Sequence, residues 1–395
     1  MNRRTFLSVS AGATLAACSQ SPAPEAPRPP NIIWIMADDL GWAHLGSYGQ
    51  TEIRTPRLDA LAQQSLRFTN AYAGCTVCAP SRSSLMTGLH TGHTPVRGNS
   101  GGLPLPAGAV TVAETLRQAG YATGCFGKWG LGGEGTEGVP NRQGFDEFLG
   151  PLHQIPHHEF TVPAEDFDAY AGKYQEQPFI REDRGFVVQP QPAAAFAGMV
   201  TRLDRQVGAL LDKLEALGLA ENTVVFFTSD NGSVEFPPIA NAFHGTGVFR
   251  GFKTDLYEGG IRVPMLVRWP GKVTPGVSDY PWAFYDFLPT AAEIAGAEPP
   301  PGLDGQSILP TLLGQGQEPP ALLYWEAGPA RAVRLGDWKA IRPGPDAPIE
   351  LYDLAHDPGE TTDVAAQHAD LVAGAEKILN AQHVDPPQLV EPGWP

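Results

Sequence analysis

Two short apolar runs, each ending in a pair of oxygen-bearing side chains, constrain this chain more than any other feature. Ile32 to Met36 is fully apolar and leads into Asp38 and Asp39, and Thr223 to Thr228 repeats the arrangement before Asp230 and Asn231. Runs of this length without alternation predict buried parallel strands, with the polar pairs at their ends in functional loops. Pro56 to Ser65, Thr111 to Ala119 and Ala193 to Leu217 carry helical periodicity, while Tyr121 to Phe126 and Met265 to Trp269 read as further strands. Strands alternating with helices imply an α/β sandwich, a central mixed β-sheet flanked by helices. Ligands of open α/β sheets gather beyond the carboxyl ends of the strands, where both polar pairs fall. After Pro319 the texture changes. Ala332 to Ile341, Glu350 to Leu354 and the helical Asp370 to Asn380 suggest a small C-terminal antiparallel sheet with a closing helix. The expected division is a catalytic domain over 31–319 and a small subdomain over 320–395.

The ends and the charge narrow the functional classes. A net charge of -16 over 395 residues argues against a nucleic-acid-binding surface, which needs clustered Lys and Arg. Arg3 and Arg4 precede an apolar, small-residue run ending in Leu15, Ala16, Ala17 and Cys18. Residues 1–18 therefore read as an export signal with a lipoprotein cleavage box, the alternative being a cytoplasmic tail with an incidental apolar run. Residues 19–30, rich in Pro and Ala, read as a tether. The expectation is a periplasmic or cell-envelope lipoprotein, exported by a twin-arginine route and touching the membrane only through a lipid anchor at Cys18. No later run is long and apolar enough to span a bilayer.

Cys75, Cys78 and Cys125 remain, an odd number that disfavours a disulfide framework. Cys75 and Cys78 have the spacing of a redox dithiol or half a zinc site, but no second CxxC or His-x-x-His pair completes a metal cage. Cys78 opens the segment Cys78-Ala79-Pro80-Ser81-Arg82, and Ser81 to Met86 reads as the helix that Pro80 begins. At the positive end of that helix a thiol has a lowered pKa and oxyanions are attracted. Arg82 adds a planar fork of donors suited to a tetrahedral anion. The plainer reading is a buried structural cysteine beside an ordinary helix. Asp38, Asp39, Asp230 and Asn231 offer hard oxygen donors that select Ca²⁺ or Mg²⁺, although each is also a common strand-end turn residue. A thiolate is a poor ligand for such a cation; an oxygen in its place would suit the site better.

With these residues the chain resembles the formylglycine-dependent sulfatases of the alkaline phosphatase superfamily. The resemblance rests on the CAPSR segment with Leu85, Thr87 and Gly88, on Ala37 to Gly41, on Gly127-Lys128-Trp129, on Thr228 to Gly232 (TSDNG), on Tyr257 to Pro264 (YEGGIRVP) and on Leu351 to Glu360 (LYDLAHDPGE). It implies an alkaline-phosphatase-like fold that hydrolyses a sulfate ester on a carbohydrate or an aryl alcohol. It implies that a maturation enzyme converts Cys78 to formylglycine, whose hydrate is the nucleophile. Asp38, Asp39, Asp230 and Asn231 would hold a calcium ion, magnesium being less favoured, that also contacts residue 78. Arg82 would stabilise the hydrate, and Lys128 and Lys253 would bind sulfate oxygens.

One position departs from the pattern. Where many of these enzymes carry a histidine after Gly-Lys-Trp, this chain has Gly130. The Pro156-His157 pair resembles the one that supplies a sulfate-contacting histidine, so His157 is assigned that role, with His158 and His153 as alternatives. His244 lies near the Lys253 segment without an assigned role. Two other readings stay open: a phosphonate monoester or phosphodiester hydrolase with the same signature, and a catalytically silent binding protein.

Overall fold

The computed structural model describes residues 28–99, 104–153, 162–178, 189–234 and 236–385. The expected signal, most of the expected tether, Cys18, His157 and His158 lie outside them.

The central sheet has five strands in the spatial order Asn31–Ala37, Thr223–Ser229, Met265–Arg268, Leu66–Phe68 and Gly276–Ser278. The first two are parallel, and Met265–Arg268 runs antiparallel to both of its neighbours, so the sheet is mixed as expected. Thr223–Ser229 is buried at every residue, which explains its unbroken apolar character. Asn31–Ala37 has the same apolar texture but is mostly half-buried, because it forms the sheet edge. The expectation that both runs are fully buried is corrected there.

Alternation along Thr223–Ser229 divides the core into two layers. Phe226 packs with Trp34, Phe284 and Phe287 on one face, beneath the helices Cys78–Thr87, Val112–Gln118 and Phe287–Ala295. Phe227 packs on the other face with Leu58, Leu61, Val200 and Val207, from the helices Pro56–Gln63 and Pro192–Ala216. Thr111 caps Val112–Gln118 in a reciprocal box with Glu114, which fixes that helix start within a residue of its expected position.

The run Tyr121 to Phe126 differs from expectation. Only Gly124–Phe126 is extended, and it pairs with Glu147–Leu149 in a separate two-stranded sheet. Gly127, with positive φ, follows it directly and ends it.

The C-terminal unit is a four-stranded antiparallel sheet of Leu323–Ala327, Ala330–Leu335, Trp338–Arg342 and Glu350–Asp353. The helix Ala369–Ala381 covers one face through Ala375 and Leu379. The other face packs on earlier parts of the chain, Trp325, Ile341 and Tyr352 against Tyr72, Leu256 and Ile261. Within this join Lys339, fully buried, pairs with Glu258 at 2.9 Å and Glu360 at 2.8 Å. Among the described residues no helix is long and apolar enough to cross a membrane.

Candidate active site

Strand register builds the first half of the site. Asn31–Ala37 and Thr223–Ser229 are parallel neighbours with Ala37 opposite Ser229, so the two polar pairs leave the sheet side by side. The Asp230 N–H donates to Ala37 O at 3.0 Å, and the Asp39 N–H donates to Asp230 Oδ1 at 3.1 Å. Asn231 Nδ2 donates to Asp39 Oδ1 at 2.7 Å. Asp39 turns the chain with φ +60, a region that Asp tolerates better than most residues.

The helix Cys78–Thr87 supplies the second half. Cys78 is its first residue, so the helix starts two residues ahead of the Pro80 opening expected from sequence, and Val77 precedes it in extended conformation without a side-chain cap. Asn99 takes that part: its Oδ1 accepts from the buried Ala79 N–H at 2.9 Å. One turn further on, Arg82 donates through Nε and Nη2 to Asp230 Oδ2 at 3.1 and 2.8 Å, and through Nη1 to Lys128 O. Lys128 Nζ reaches both oxygens of Asp38, at 3.0 and 2.9 Å. Lys253 Nζ lies 2.7 Å from Asp39 Oδ2 and 3.6 Å from Cys78 Sγ, and Sγ lies 3.5 Å from Asp38 Oδ1.

The charges settle unequally. Burial pushes Asp230 up to about 6 and the Asp38 charge adds to that, against the pull of Arg82 and Lys128. Desolvation by the surrounding side chains acts the same way on Asp38, although its carboxyl still reaches solvent, but Lys128 and Arg82 overcome it and hold the carboxyl well below its usual range. For Lys128, Lys253 and Arg82 burial opposes the charge, yet the carboxylates around them win and raise all three. The Cys78 thiol is pushed well above its ordinary value by burial, then by Asp230, Asp38 and Asp39. This corrects the expected lowering, because burial, joined by three converging carboxylates, outweighs a helix terminus. A buried neutral thiol among acids is poorly suited to act as the nucleophile itself.

The donors do fit a hard cation. Ligand atoms of Asp38, Asp39, Asp230 and Cys78 lie within 4.8 Å of one another, and Asn231 Oδ1 is buried without a hydrogen-bond partner. Three carboxylates and an unused amide oxygen are the donor set of a Ca²⁺ or Mg²⁺ site.

Other sequence candidates fall elsewhere. Cys75, Cys78 and Cys125 are all free thiols. Cys75 is fully buried and donates to Glu326 O at 3.3 Å, so Cys75 and Cys78 do not act as a pair. His244 is exposed, ending the helix Pro237–Phe243 with φ +46. His153 closes the described segment 104–153. Gly130 has φ +84, and its N–H donates to Leu152 O at 3.0 Å. Backbone of that shape favours glycine, so Gly130→Ala should lower stability by about 1 kcal/mol in urea unfolding. A histidine there would meet the same backbone restriction.

The match to known families follows this geometry. The sulfatase family model matches residues 30–154 and 151–297, and the model described as N-sulphoglucosamine sulphohydrolase, C-terminal, matches 247–384. Human arylsulfatase A is 36% identical over 84% of this chain and 83% of its own length. The N-acetylgalactosamine-6-O-sulfatase of Bacteroides thetaiotaomicron is 30% identical over 89% of this chain and 93% of its own. A solved Bacteroides thetaiotaomicron structure, described under the metabolism of multiple glycosaminoglycans, superposes with a TM-score of 0.74 at 27% identity, covering 90% of this chain and 99% of that one.

Proposed function

The chain belongs to the sulfatase family and is a sulfuric ester hydrolase, and we propose that residue 78, as formylglycine, attacks the ester sulfur beside a calcium ion. The observation that carries this reading is the pairing of a raised, buried Cys78 thiol with three carboxylates and the unpartnered Asn231 oxygen. A thiol in that setting is a mismatched ligand for a hard cation, whereas an oxygen there suits one.

Formylglycine would supply two hydroxyls on one carbon, one to attack sulfur and one to lose its proton as the aldehyde re-forms and sulfate leaves. Calcium, held by Asp38, Asp39, Asp230 and Asn231, would offset their charge and draw on a sulfate oxygen. The remaining work belongs to this chain's own side chains. Arg82 fixes Asp230 from the helix and holds the Lys128 carbonyl, so it sets the spacing between helix and donor cluster. Lys128 and Lys253, kept charged by the carboxylates, are placed to bind sulfate oxygens and to neutralise charge on the departing alcohol. Their ammonium groups now rest on Asp38 and Asp39. His157 is proposed as a further sulfate donor on its motif alone. Magnesium fits the same donors less well, because it demands stricter octahedral geometry.

A sulfated carbohydrate is the proposed substrate, in keeping with the named activity of the Bacteroides thetaiotaomicron relative. The same proposal includes a maturation enzyme acting on Cys78, and export with lipid attachment at Cys18. Mass spectrometry of the tryptic peptide spanning residue 78, with parallel assays on an aryl sulfate and an aryl phosphodiester, tests the chemistry. Unmodified thiol in active protein, or a clear preference for the phosphodiester, would overturn it.

Metal binding should carry a pH signature. In the metal-free protein Asp230 is half-protonated near pH 6, and calcium must displace that proton. Calorimetry should show affinity falling roughly tenfold per pH unit below 6 and levelling above 7. The folded value is higher than the unfolded one, so Asp230 favours the metal-free fold most below pH 4 and loses that contribution as pH rises towards 6.

A further inference from the structure

Four non-glycine residues adopt left-handed backbone among the described residues: Asp39, His244, Thr254 and Glu360. Asp39 is held by Lys253 and Asn231, Glu360 by Lys339 and the Glu258 N–H, and His244 closes a helix. Thr254 differs from all three. It is β-branched with φ +88, the side-chain class least suited to that region. It is also exposed, and no hydrogen bond within the described residues engages its hydroxyl.

Its place in the fold is specific. Thr254 follows Lys253, and its N–H donates at 3.1 Å to the carbonyl of Thr76, two residues ahead of Cys78. The Lys253 N–H donates to Ser233 O at 2.7 Å, two residues beyond Asn231. The backbone is therefore tied to both halves of the site, and glycine could follow the same path without strain. Among the described residues no hydrogen bond uses the side chain that causes the strain. Strain of this kind concentrates at ligand-binding positions.

We propose that Thr254 is a specificity-determining residue whose hydroxyl hydrogen-bonds a ring hydroxyl of the sulfated sugar next to the ester. This rests on the sulfated-carbohydrate reading above. The contact recognises the sugar rather than the sulfate, which Lys128 and Lys253 already face.

The test compares KM for N-acetylgalactosamine 6-sulfate and for nitrophenyl sulfate in wild type, Thr254→Gly, Thr254→Val and Thr254→Ser, normalised to formylglycine content, with thermal melting of each. Thr254→Gly and Thr254→Val should raise KM for the sugar about five- to tenfold, the loss of one neutral hydrogen bond, and leave nitrophenyl sulfate unchanged. Thr254→Ser should stay within about twofold on both substrates. Thr254→Gly should melt higher than wild type, and Thr254→Val should not, because only glycine relieves the strain. Unchanged sugar KM in both Gly and Val variants overturns the proposal, as does an equal rise on both substrates. Wild type active on nitrophenyl sulfate but not on the sugar overturns the sugar contact alone. Inactivity on both substrates overturns the sulfatase chemistry and the contact with it.

Discussion

Cys78→Ala should reduce turnover of an aryl sulfate by at least about 10⁴-fold while leaving the protein folded, because it removes the attacking atom and almost no packing. The side chain is buried at the first turn of its helix, where alanine is well tolerated, so melting should change little. Removing the thiol also removes a group whose ionisation three carboxylates oppose. Cys78→Ser makes the sharper experiment. Serine keeps one hydroxyl beside Asp38 and Lys253 but has no second hydroxyl on the same carbon. It can attack sulfur once, release the alcohol and then hold the sulfo group as an ester. Rapid-mixing assays should show a burst of no more than one equivalent, and intact-mass measurement should find one added sulfo group. Steady turnover by Cys78→Ser at a rate near wild type would exclude the two-hydroxyl mechanism.

How far this was legible beforehand depends on the range of each interaction. That both apolar runs are strands with their polar pairs at the carboxyl ends was readable, because runs of this length are buried strands and ligands of open α/β sheets gather there; their direct pairing was not, because nothing local specifies which strands are neighbours. That Asn31–Ala37 is the edge and Thr223–Ser229 the interior was not, since both read as apolar and only the pairing order separates them. Lys128 and Lys253 are ordinary lysines to any local rule; motif resemblance alone singled them out. Asn99 gave no signal, because it caps a helix that starts 21 residues earlier. The error over the thiol is the most instructive. A helix terminus is visible in sequence, whereas the burial that opposes it arises only on folding and the three carboxylates that add to it arrive from two distant strands.

The same limit hid the join beneath the C-terminal sheet, where the largest stability effect is expected. Tyr257 to Pro264 and Leu351 to Glu360 stood out as motifs, yet nothing local tied them to each other or to Lys339. In the structure Glu258 accepts from Tyr72 and Arg262, Glu360 accepts from the Glu258 N–H, and Lys339 lies between the two carboxylates without solvent contact. Both neighbours keep the Lys339 charge against the penalty of burial. Lys339→Met would leave two buried carboxylates facing each other, which should cost about 3–5 kcal/mol in urea unfolding, a large share of a typical domain's stability. The loss should be larger at pH 8 than at pH 5. Burial already raises the Glu360 value, so a proton at low pH can relieve the pair once the lysine is gone. Lys339→Met combined with Glu360→Gln separates charge from packing. The amide retains an acceptor for the Glu258 N–H and removes one unpaired charge, so the double variant should recover at least about 1 kcal/mol of the single variant's loss. Equal stability of the two variants would mean that Lys339 holds the subdomain through its alkyl stem rather than its charge.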